Sequence, residues 1–232
     1  MMRHRTRALV SVAVVAIGGT LVGACAPDPP SAIVGLSVKA CDTGLESGSG
    51  AFVAPGIVLT AAHVVAGATT ITIERPGIGS PMVGEIIGFD PINDLAYIKV
   101  DDRTTQHLQV ATSAAGAGDV GTAYVVRKGT VVSLPIEIAR PVNIRTEDIY
   151  IDTMTNRPGF ELVADIDAGD SGGVVVVDSK VVGIVWARSN LAPDRAYAMD
   201  IVAGLASVDE QLATGVIGDD AAGTPIDLAR CY

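Results

Sequence analysis

An all-β fold is predicted by two features of this sequence. Short apolar runs alternate with Gly, Pro, Asp and Asn, as strands alternate with turns; the runs lie at 57–60, 69–73, 95–100, 121–126, 174–177 and 181–186. The 232 residues include 26 glycines and only 4% aromatic side chains, and no long amphipathic helical stretch lies between the two ends. The spacing favours a sandwich or a barrel, in one large domain or two small ones.

The N-terminal 25 residues are typical of a bacterial export signal. Three arginines precede an uncharged apolar run at 8–24, which is short for a membrane span of about 20 residues. The run ends in Leu21-Val22-Gly23-Ala24-Cys25, which resembles a lipobox. We expect residues 1–25 to be a lipoprotein signal, with lipid on Cys25 and a linker at 26–32. Ordinary signal cleavage near Cys25 and an uncleaved signal anchor are the alternatives.

The charge balance is acidic. The net charge is −10, and loss of Arg3, Arg5 and Arg7 with the signal would make it −13. This charge disfavours nucleic acid as a partner. The cysteines and histidines form no ligand-spaced cluster, so we expect neither a metal nor another cofactor.

His63 is the best candidate for a general base. It lies in Leu59-Thr60-Ala61-Ala62-His63-Val64-Val65, where an apolar run ends in a short turn. A strand end holds a base in a defined position, as proton transfer requires. His107 lies in a polar stretch and is interpreted as a solvated or core histidine without a catalytic role, and His4 belongs to the signal.

Asp94 is the candidate acid that orients this base. It follows the turn sequence Asp90-Pro91-Ile92-Asn93 and precedes the strand-like run 95–100. A carboxylate here would hold the histidine in one tautomer and stabilise its charged form. Asp90 is the alternative, but the adjacent Pro91 favours a turn role for it.

Ser171 is the candidate nucleophile, in Gly169-Asp170-Ser171-Gly172-Gly173. A serine hydroxyl is a poor nucleophile without a base. Gly169 can adopt a backbone conformation closed to residues with a Cβ, so that its N–H points the same way as that of Ser171. Two such amides form an oxyanion hole. The loop is thus predicted to carry the nucleophile and its oxyanion stabiliser together.

Chain order distinguishes two classes of hydrolase. The same five residues satisfy the G-x-S-x-G pattern of the α/β-hydrolase elbow, but that fold places its histidine after the serine. No histidine follows Ser171. The order His63, Asp94, Ser171 is that of the chymotrypsin-type proteases.

The sequence resembles the trypsin-like serine proteases in three motifs. These are Thr60-Ala61-Ala62-His63, Asn93-Asp94-Leu95-Ala96 and Gly169-Asp170-Ser171-Gly172-Gly173. Their compact spacing is similar to the HtrA/DegP branch of that family. Segments 46–55, 61–67 and 147–150 resemble the actinobacterial periplasmic proteases of the MarP type. The resemblance extends from about Ile33 to Cys231.

The resemblance implies two six-stranded antiparallel β-barrels with the site in the cleft between them. The protease domain would span 33–232, with the first barrel at about 33–100 and the second at about 117–232. His63 and Asp94 would belong to the first barrel and Ser171 to the second. No appended PDZ domain is expected.

Two cysteines remain if Cys25 carries lipid. An exported compartment permits disulfides, and Cys41–Cys231 is then the one pairing within the mature chain. The resemblance implies the same early and late cysteine. Two free thiols are the alternative.

Asp165, Trp186 and Ala187 are the candidate substrate-binding residues implied by the resemblance. Asp165 stands six positions before Ser171, where trypsins have the base of the specificity pocket, so an acid would favour Lys or Arg; it could instead cap a turn. Trp186 and Ala187 lie where the family pairs a substrate strand with its own. Trp186 is alternatively a core or interface aromatic.

Three positions depart from the family pattern. Val174 replaces the usual proline, and Arg127-Lys128-Gly129 stands where the HtrA branch often has an aromatic-proline-glycine turn. In trypsins the residue matching Asp170 pairs with an amine made by activation cleavage. Ile33-Val34-Gly35-Leu36 loosely resembles such a terminus, but we interpret it as an ordinary first strand.

The function that these motifs predict is an envelope-anchored serine endopeptidase with a peptide or protein substrate. The expected location is the bacterial cell envelope, on the outer face of the membrane. The alternative is a non-catalytic peptide-binding or scaffold protein on the same fold, and the complete set of three motif residues argues against it.

Overall fold

The computed structural model describes residues 30–40, 44–102, 106–214 and 226–231. Thirteen strands and two helices occur in these ranges: β1 Ile33–Ala40, β2 Gly44–Ala54, β3 Ile57–Thr60, α1 Ala62–Val65, β4 Ala68–Arg75, β5 Ile78–Asp90, β6 Leu95–Lys99, β7 Gln109–Val110, β8 Val120–Arg127, β9 Thr130–Glu147, β10 Met154–Val163, β11 Val174–Val177, β12 Lys180–Arg188, β13 Arg195–Asp200 and α2 Ile201–Thr214. The predicted signal at 1–25, Cys25 and Cys41 lie outside these ranges. Neither described helix is long and apolar enough to cross a membrane.

The first six strands form a closed barrel. Their order is β1-β2-β3-β6-β5-β4, and β4 pairs with β1 to complete the ring. Alternate residues of β1 point inward, because successive side chains of a strand face opposite sides. Val34, Leu36 and Val38 are therefore buried, and they pack in one core with residues such as Phe52 and Ile98.

The second sheet also closes on itself. Its order is β11-β8-β9-β10-β13-β12-β7, and an additional pairing of β11 with β12 makes a ring of six strands. The predicted all-β architecture with two six-stranded rings is confirmed. The prediction did not include β7, a short strand that pairs in parallel with β12 and lies outside the ring. It forms where the chain crosses between barrels: the N–H of Leu108 donates to Phe52, and that of Ala111 to Val181.

The β9–β10 hairpin reaches from the second barrel to the first. Ten residues of β10 pair with β9, from Met154 opposite Glu147 to Val163 opposite Glu137. Beyond that pairing, the N–H of Ile149 donates to the carbonyl of Pro91 over 3.3 Å. The hairpin tip therefore touches the turn that precedes Asp94.

Helix α2 fastens the end of the second barrel to the first barrel. Its apolar face buries Ile201, Leu205 and Val208 against the first core. The side chain of Gln211 accepts from the N–H of Phe89 over 2.8 Å and donates to its carbonyl over 3.0 Å. These bonds satisfy a backbone N–H and carbonyl that burial would otherwise leave unpaired.

Candidate active site

His63 and Asp94 meet at one end of the first barrel. His63 lies on α1, directly after β3, and Asp94 directly precedes β6, which pairs with β3. The imidazole Nδ1 is 2.7 Å from Asp94 Oδ2, and the backbone N–H of His63 donates to Oδ1 over 2.8 Å. The carboxylate is fully buried, whereas 19% of the imidazole is exposed. The acid therefore contacts the base at two points, its backbone N–H and Nδ1, and leaves Nε2 available to take a proton.

The surroundings of His63 favour its protonated form. Burial alone disfavours the imidazolium, but the charge of Asp94 and the hydrogen bond to it outweigh burial, so the pKa of His63 is raised above 6.5. Arg157 opposes this change, and Glu46 adds to it. An imidazole held in this way accepts a proton readily.

Asp90 has the turn role that its neighbouring proline suggested. Its Oδ1 accepts from the N–H groups of Ile92 and Asn93, and its Oδ2 accepts from the Asn93 side chain, each over 2.8 Å. These bonds shape the turn before Asp94. Asp94 itself has φ = +59°, a left-handed conformation that aspartate tolerates better than most residues.

Ser171 lies in a loop whose backbone leaves two amides free. The N–H of Asp170 donates to the carbonyl of Asp167 over 3.2 Å, and Gly169 has φ = +93°, as the third residue of a type II turn requires. Within the described part of the chain, neither the Gly169 nor the Ser171 N–H donates a hydrogen bond. The predicted pair of oxyanion donors is thus available.

The Ser171 loop packs directly against the segment that precedes His63. Gly172 has φ = +82°, and a Cβ there would lie 2.2 Å from the carbonyl oxygen of Ser49 and 2.3 Å from Thr60 Oγ1. Glycine is required because the two barrels touch at this point. The Ser171 hydroxyl donates to the carbonyl of Trp186 over 3.4 Å, and no hydrogen bond among the described residues joins it to His63.

Asp170 is buried against an arginine that sequence reasoning did not assign. Arg127 Nε and Nη2 donate to its two carboxylate oxygens over 3.0 and 2.6 Å, and Nη2 also donates to the Asp165 carbonyl over 2.8 Å. A planar guanidinium matches a carboxylate in this way. Ile33, the alternative source of a positive partner, lies within β1, which agrees with its interpretation as an ordinary strand.

A second unassigned arginine lies on the other side of the site. Arg157 of β10 is buried, and its guanidinium donates to the carbonyls of Ile92, Pro91 and Glu147. Its Nη1 is 3.9 Å from Asp94 Oδ2. Both arginines end or interrupt strand-like runs, but the sequence contains no local sign that either contacts a carboxylate distant along the chain.

Two of the three candidate substrate residues, Trp186 and Ala187, lie on β12. Pairing of β12 with β11 ends at Ile184, and a bulge occurs between Val185 and Ala187. Trp186 is half-buried, with its ring edge-on to Tyr197. A bulge beside a site redirects a side chain and interrupts pairing. The Asp165 side chain is exposed, and its carbonyl is the group that Arg127 binds.

The remaining candidates lie away from this centre. His107 is exposed, so it is the solvated alternative and not a core histidine. Cys231 lies at the end of the last described segment, whereas its proposed partner Cys41 is not described. No group of three or more possible metal-binding side chains occurs within the ranges that the structure describes.

Comparisons with known proteins agree with this architecture. The trypsin-like peptidase domain family matches residues 48–184, more than half of the chain. Serine protease Rv3671c of Mycobacterium tuberculosis is 30% identical over 149 residues, which cover 63% of this chain and 37% of that protein. The match thus spans little more than a third of that relative.

Solved structures are similar over a larger part. The crystal structure of Rv3671c protease from M. tuberculosis in its active form has a TM-score of 0.72 and 25% identity, over 87% of this chain and 86% of that one. HtrA-type protease AlgW with tripeptide has a TM-score of 0.69 and 23% identity, over 80% and 62% of the two chains, which is a likeness of fold. Together with the two closed rings, the family match shows that the chain belongs to the trypsin-like peptidase domain family.

Proposed function

We propose that this protein is a serine endopeptidase that uses Ser171, His63 and Asp94. The observation that carries the proposal is the His63–Asp94 pair, joined over 2.7 Å, beside a serine loop with two free amides. Each part has a defined role in peptide hydrolysis, and a binding protein needs none of them.

The first chemical step forms an acyl-enzyme. The Ser171 hydroxyl turns from the Trp186 carbonyl toward His63, whose Nε2 takes its proton as Oγ bonds to the substrate carbonyl carbon. The N–H groups of Gly169 and Ser171 hold the oxygen that becomes negative. The imidazolium, steadied by Asp94, then gives its proton to the departing amine.

Water completes the cycle. His63 removes a proton from water, and the resulting hydroxyl attacks the acyl carbon while the same two amides hold the oxyanion. Breaking the bond to Oγ releases the new carboxyl terminus, and His63 returns the proton to Ser171. Beyond Ile184, the edge of β12 opposite β13 has no strand partner among the described residues, so that edge at Trp186 and Ala187 would pair with substrate backbone, which suits a peptide in an extended conformation.

Fluorophosphonate labelling tests the proposal. Purified protein at neutral pH is expected to be labelled at Ser171, Ser171→Ala is expected to remain unlabelled, and Ser133→Ala, which changes an exposed serine on β9, is expected to label like the wild type. Absence of labelling in folded wild-type protein would contradict catalysis. Peptide binding that survives in Ser171→Ala, without turnover by the wild type, would favour the scaffold alternative.

We further propose that Cys25 carries a lipid that holds the protein on the outer face of the membrane. The lipobox-like sequence supports this location. Expression in a bacterial host is expected to give a membrane-bound protein with an acylated N-terminal fragment by mass spectrometry, and Cys25→Ser is expected to abolish both. An unmodified wild-type protein in the soluble fraction would contradict the anchor.

The disulfide Cys41–Cys231 belongs to the same proposal. Cys41 and Cys231 are the two cysteines that remain if Cys25 carries lipid, and an exported compartment permits their pairing. Closing so long a loop would stabilise the fold by about 4 kcal/mol in the chain-entropy model. Cys41→Ser is expected to lower the free energy of unfolding accordingly in denaturant titrations, and quantitative alkylation of both thiols in unreduced, unfolded protein would contradict the pairing.

A further inference from the structure

We propose that Arg157 is a positioning residue of the active site: it fastens the Asp94 turn of the first barrel to the second barrel. This inference rests on the proposed function, because it concerns how the His63–Asp94 pair is kept in place. Arg157 itself touches neither His63 nor Ser171 by any hydrogen bond within the described residues.

The hydrogen bonds of Arg157 join the two barrels. Its guanidinium donates to the carbonyls of Pro91 and Ile92, three and two residues before Asp94 in the first barrel. It also donates to the carbonyl of Glu147, at the end of β9 in the second barrel. A guanidinium has five donors in a rigid fork, so one side chain can hold both barrels in a single arrangement.

The position of the charge adds to this role. The side chain is only 3% exposed, and Nη1 lies 3.9 Å from Asp94 Oδ2, too far for a hydrogen bond but close enough for attraction between charges. Asp90 and Asp148 also face the guanidinium. A buried cation without such partners would be strongly destabilising. The carbonyls and carboxylates around Arg157 therefore compensate for the burial of its charge.

Arg157 also contacts β12 through Trp186. Its guanidinium carbon is 6.0 Å from the centre of the Trp186 ring, within the range of a cation–π contact. The same side chain therefore contacts the turn that carries the acid and the aromatic residue beside the Ser171 hydroxyl. Loss of Arg157 would loosen both.

If Arg157 had only a structural role, its replacement would leave the pKa of His63 unchanged. As a positioning residue close to the His63–Asp94 pair, its replacement should change that pKa. The charged groups that act on His63 are Asp94, Arg157 and Glu46; the two carboxylates raise its pKa and Arg157 lowers it. Removing the positive charge should therefore move the acidic limb of activity to higher pH. Displacing the pair should also slow the chemical step.

The test compares Arg157→Met, Arg157→Lys and the control Arg145→Met, which changes an exposed arginine on β9. Near-ultraviolet circular dichroism first establishes that each variant is folded. Fluorophosphonate labelling rates, and kcat and KM on a fluorogenic peptide, are then measured from pH 5 to 9, a span of about four units around the ordinary pKa of histidine.

We expect Arg157→Met to lower the rate at pH 7 by about ten- to a hundred-fold, mainly in kcat, and to raise the midpoint of the pH profile. Arg157→Lys keeps the charge but cannot reach all three carbonyls, so its rate should fall while its midpoint stays near that of the wild type. Arg145→Met should match the wild type in both.

Each outcome decides between the two proposals. An unlabelled wild type would refute the proposed function itself. A labelled wild type together with an unchanged rate and midpoint in folded Arg157→Met would overturn the inference about Arg157 alone. If the methionine variant does not fold, a wild-type rate in Arg157→Lys overturns it equally.

Discussion

At the scale of single residues, the site depends on how two buried carboxylates are held. Asp94 is fully buried, and the side chain of Asp170 is 1% exposed. Each contacts a partner over a short distance, His63 in the first case and Arg127 in the second. A buried carboxylate without such a partner would be strongly destabilising. Asp94 thus orients the base of the first barrel, and Asp170 orients the serine loop of the second barrel.

The pH dependence of activity follows from His63. Its pKa is raised above 6.5, and only the neutral imidazole can take the proton from Ser171. Below the raised pKa the base is protonated, so kcat/KM should fall as the pH decreases, with a midpoint above that of an ordinary histidine. A pH profile of kcat/KM measures this midpoint, and a midpoint clearly below 6.5 would contradict the geometry.

Arg127 is predicted to hold the oxyanion hole without an activation cleavage. Arg127→Met would leave Asp170 buried without its partner, and the Gly169 amide would lose its orientation. We expect kcat to fall by about a hundred-fold or more, as when one oxyanion donor is lost, with a smaller change in KM.

Two controls accompany this measurement. Lys180→Met changes an exposed cation of β12 and should have no effect. Protein with residues before Ile33 should be as active as the trimmed form, which begins at Ile33. If only the trimmed form were active, the role of Arg127 would be refuted.

At the scale of elements, the loop that follows Ser171 makes a close contact between the barrels. Gly172 leaves no space for a Cβ, because the Ser49 carbonyl and Thr60 side chain occupy it. The N–H of Gly172 donates to the Val185 carbonyl over 2.9 Å, and the Ser49 N–H donates to that of Ser171 over 2.8 Å. β2, β12 and the serine loop thus form one unit.

Gly172→Ala and Gly118→Ala form a matched pair that tests this contact. Both glycines have positive φ, +82° and +85°, but a Cβ at Gly118 would meet nothing within 4 Å. We expect Gly118→Ala to cost about 1–2 kcal/mol from backbone strain alone. Gly172→Ala should lower the free energy of unfolding clearly more, as measured by denaturant titration, and should abolish labelling of Ser171. Equal decreases for the two variants would show that the packing around Gly172 is not tight.

At the scale of the whole molecule, the barrels are joined at several places besides the Ser171 loop. Among them are helix α2, the tip of the β9–β10 hairpin and the crossing segment that includes β7. These three join parts that are distant along the chain. Gln211, for example, binds Phe89, 122 residues away.

Gln211→Leu tests the contribution of the helix. The change would leave the buried N–H and carbonyl of Phe89 without their partner, at a cost of about 1–3 kcal/mol each. We expect a lower melting temperature and a lower kcat, since the barrels would dock less firmly. Ala206→Gln, at an exposed position of the same helix, should change neither. Wild-type stability in Gln211→Leu would show that the bonds from Gln211 of α2 do not help to hold the barrels together.

Sequence reasoning was enough to predict the all-β class, the order of His63, Asp94 and Ser171, and the turn role of Asp90. These features depend on local chemistry: the period of apolar residues, the freedom of glycine and the fixed φ of proline. The resemblance to a known family supplied the division into two barrels. None of these inferences needed contacts between distant segments.

The pairs of charges that meet in the interior could be identified only from the folded chain. Arg127 lies 43 residues from Asp170, and Arg157 lies 65 residues from the Ile92 carbonyl that it binds. The parallel strand β7 and the direction of the Ser171 hydroxyl were settled in the same way. The physical reason is that burial and ion pairing depend on how the barrels pack, and an arginine in a strand-like run looks the same in sequence whether it faces solvent or a buried carboxylate.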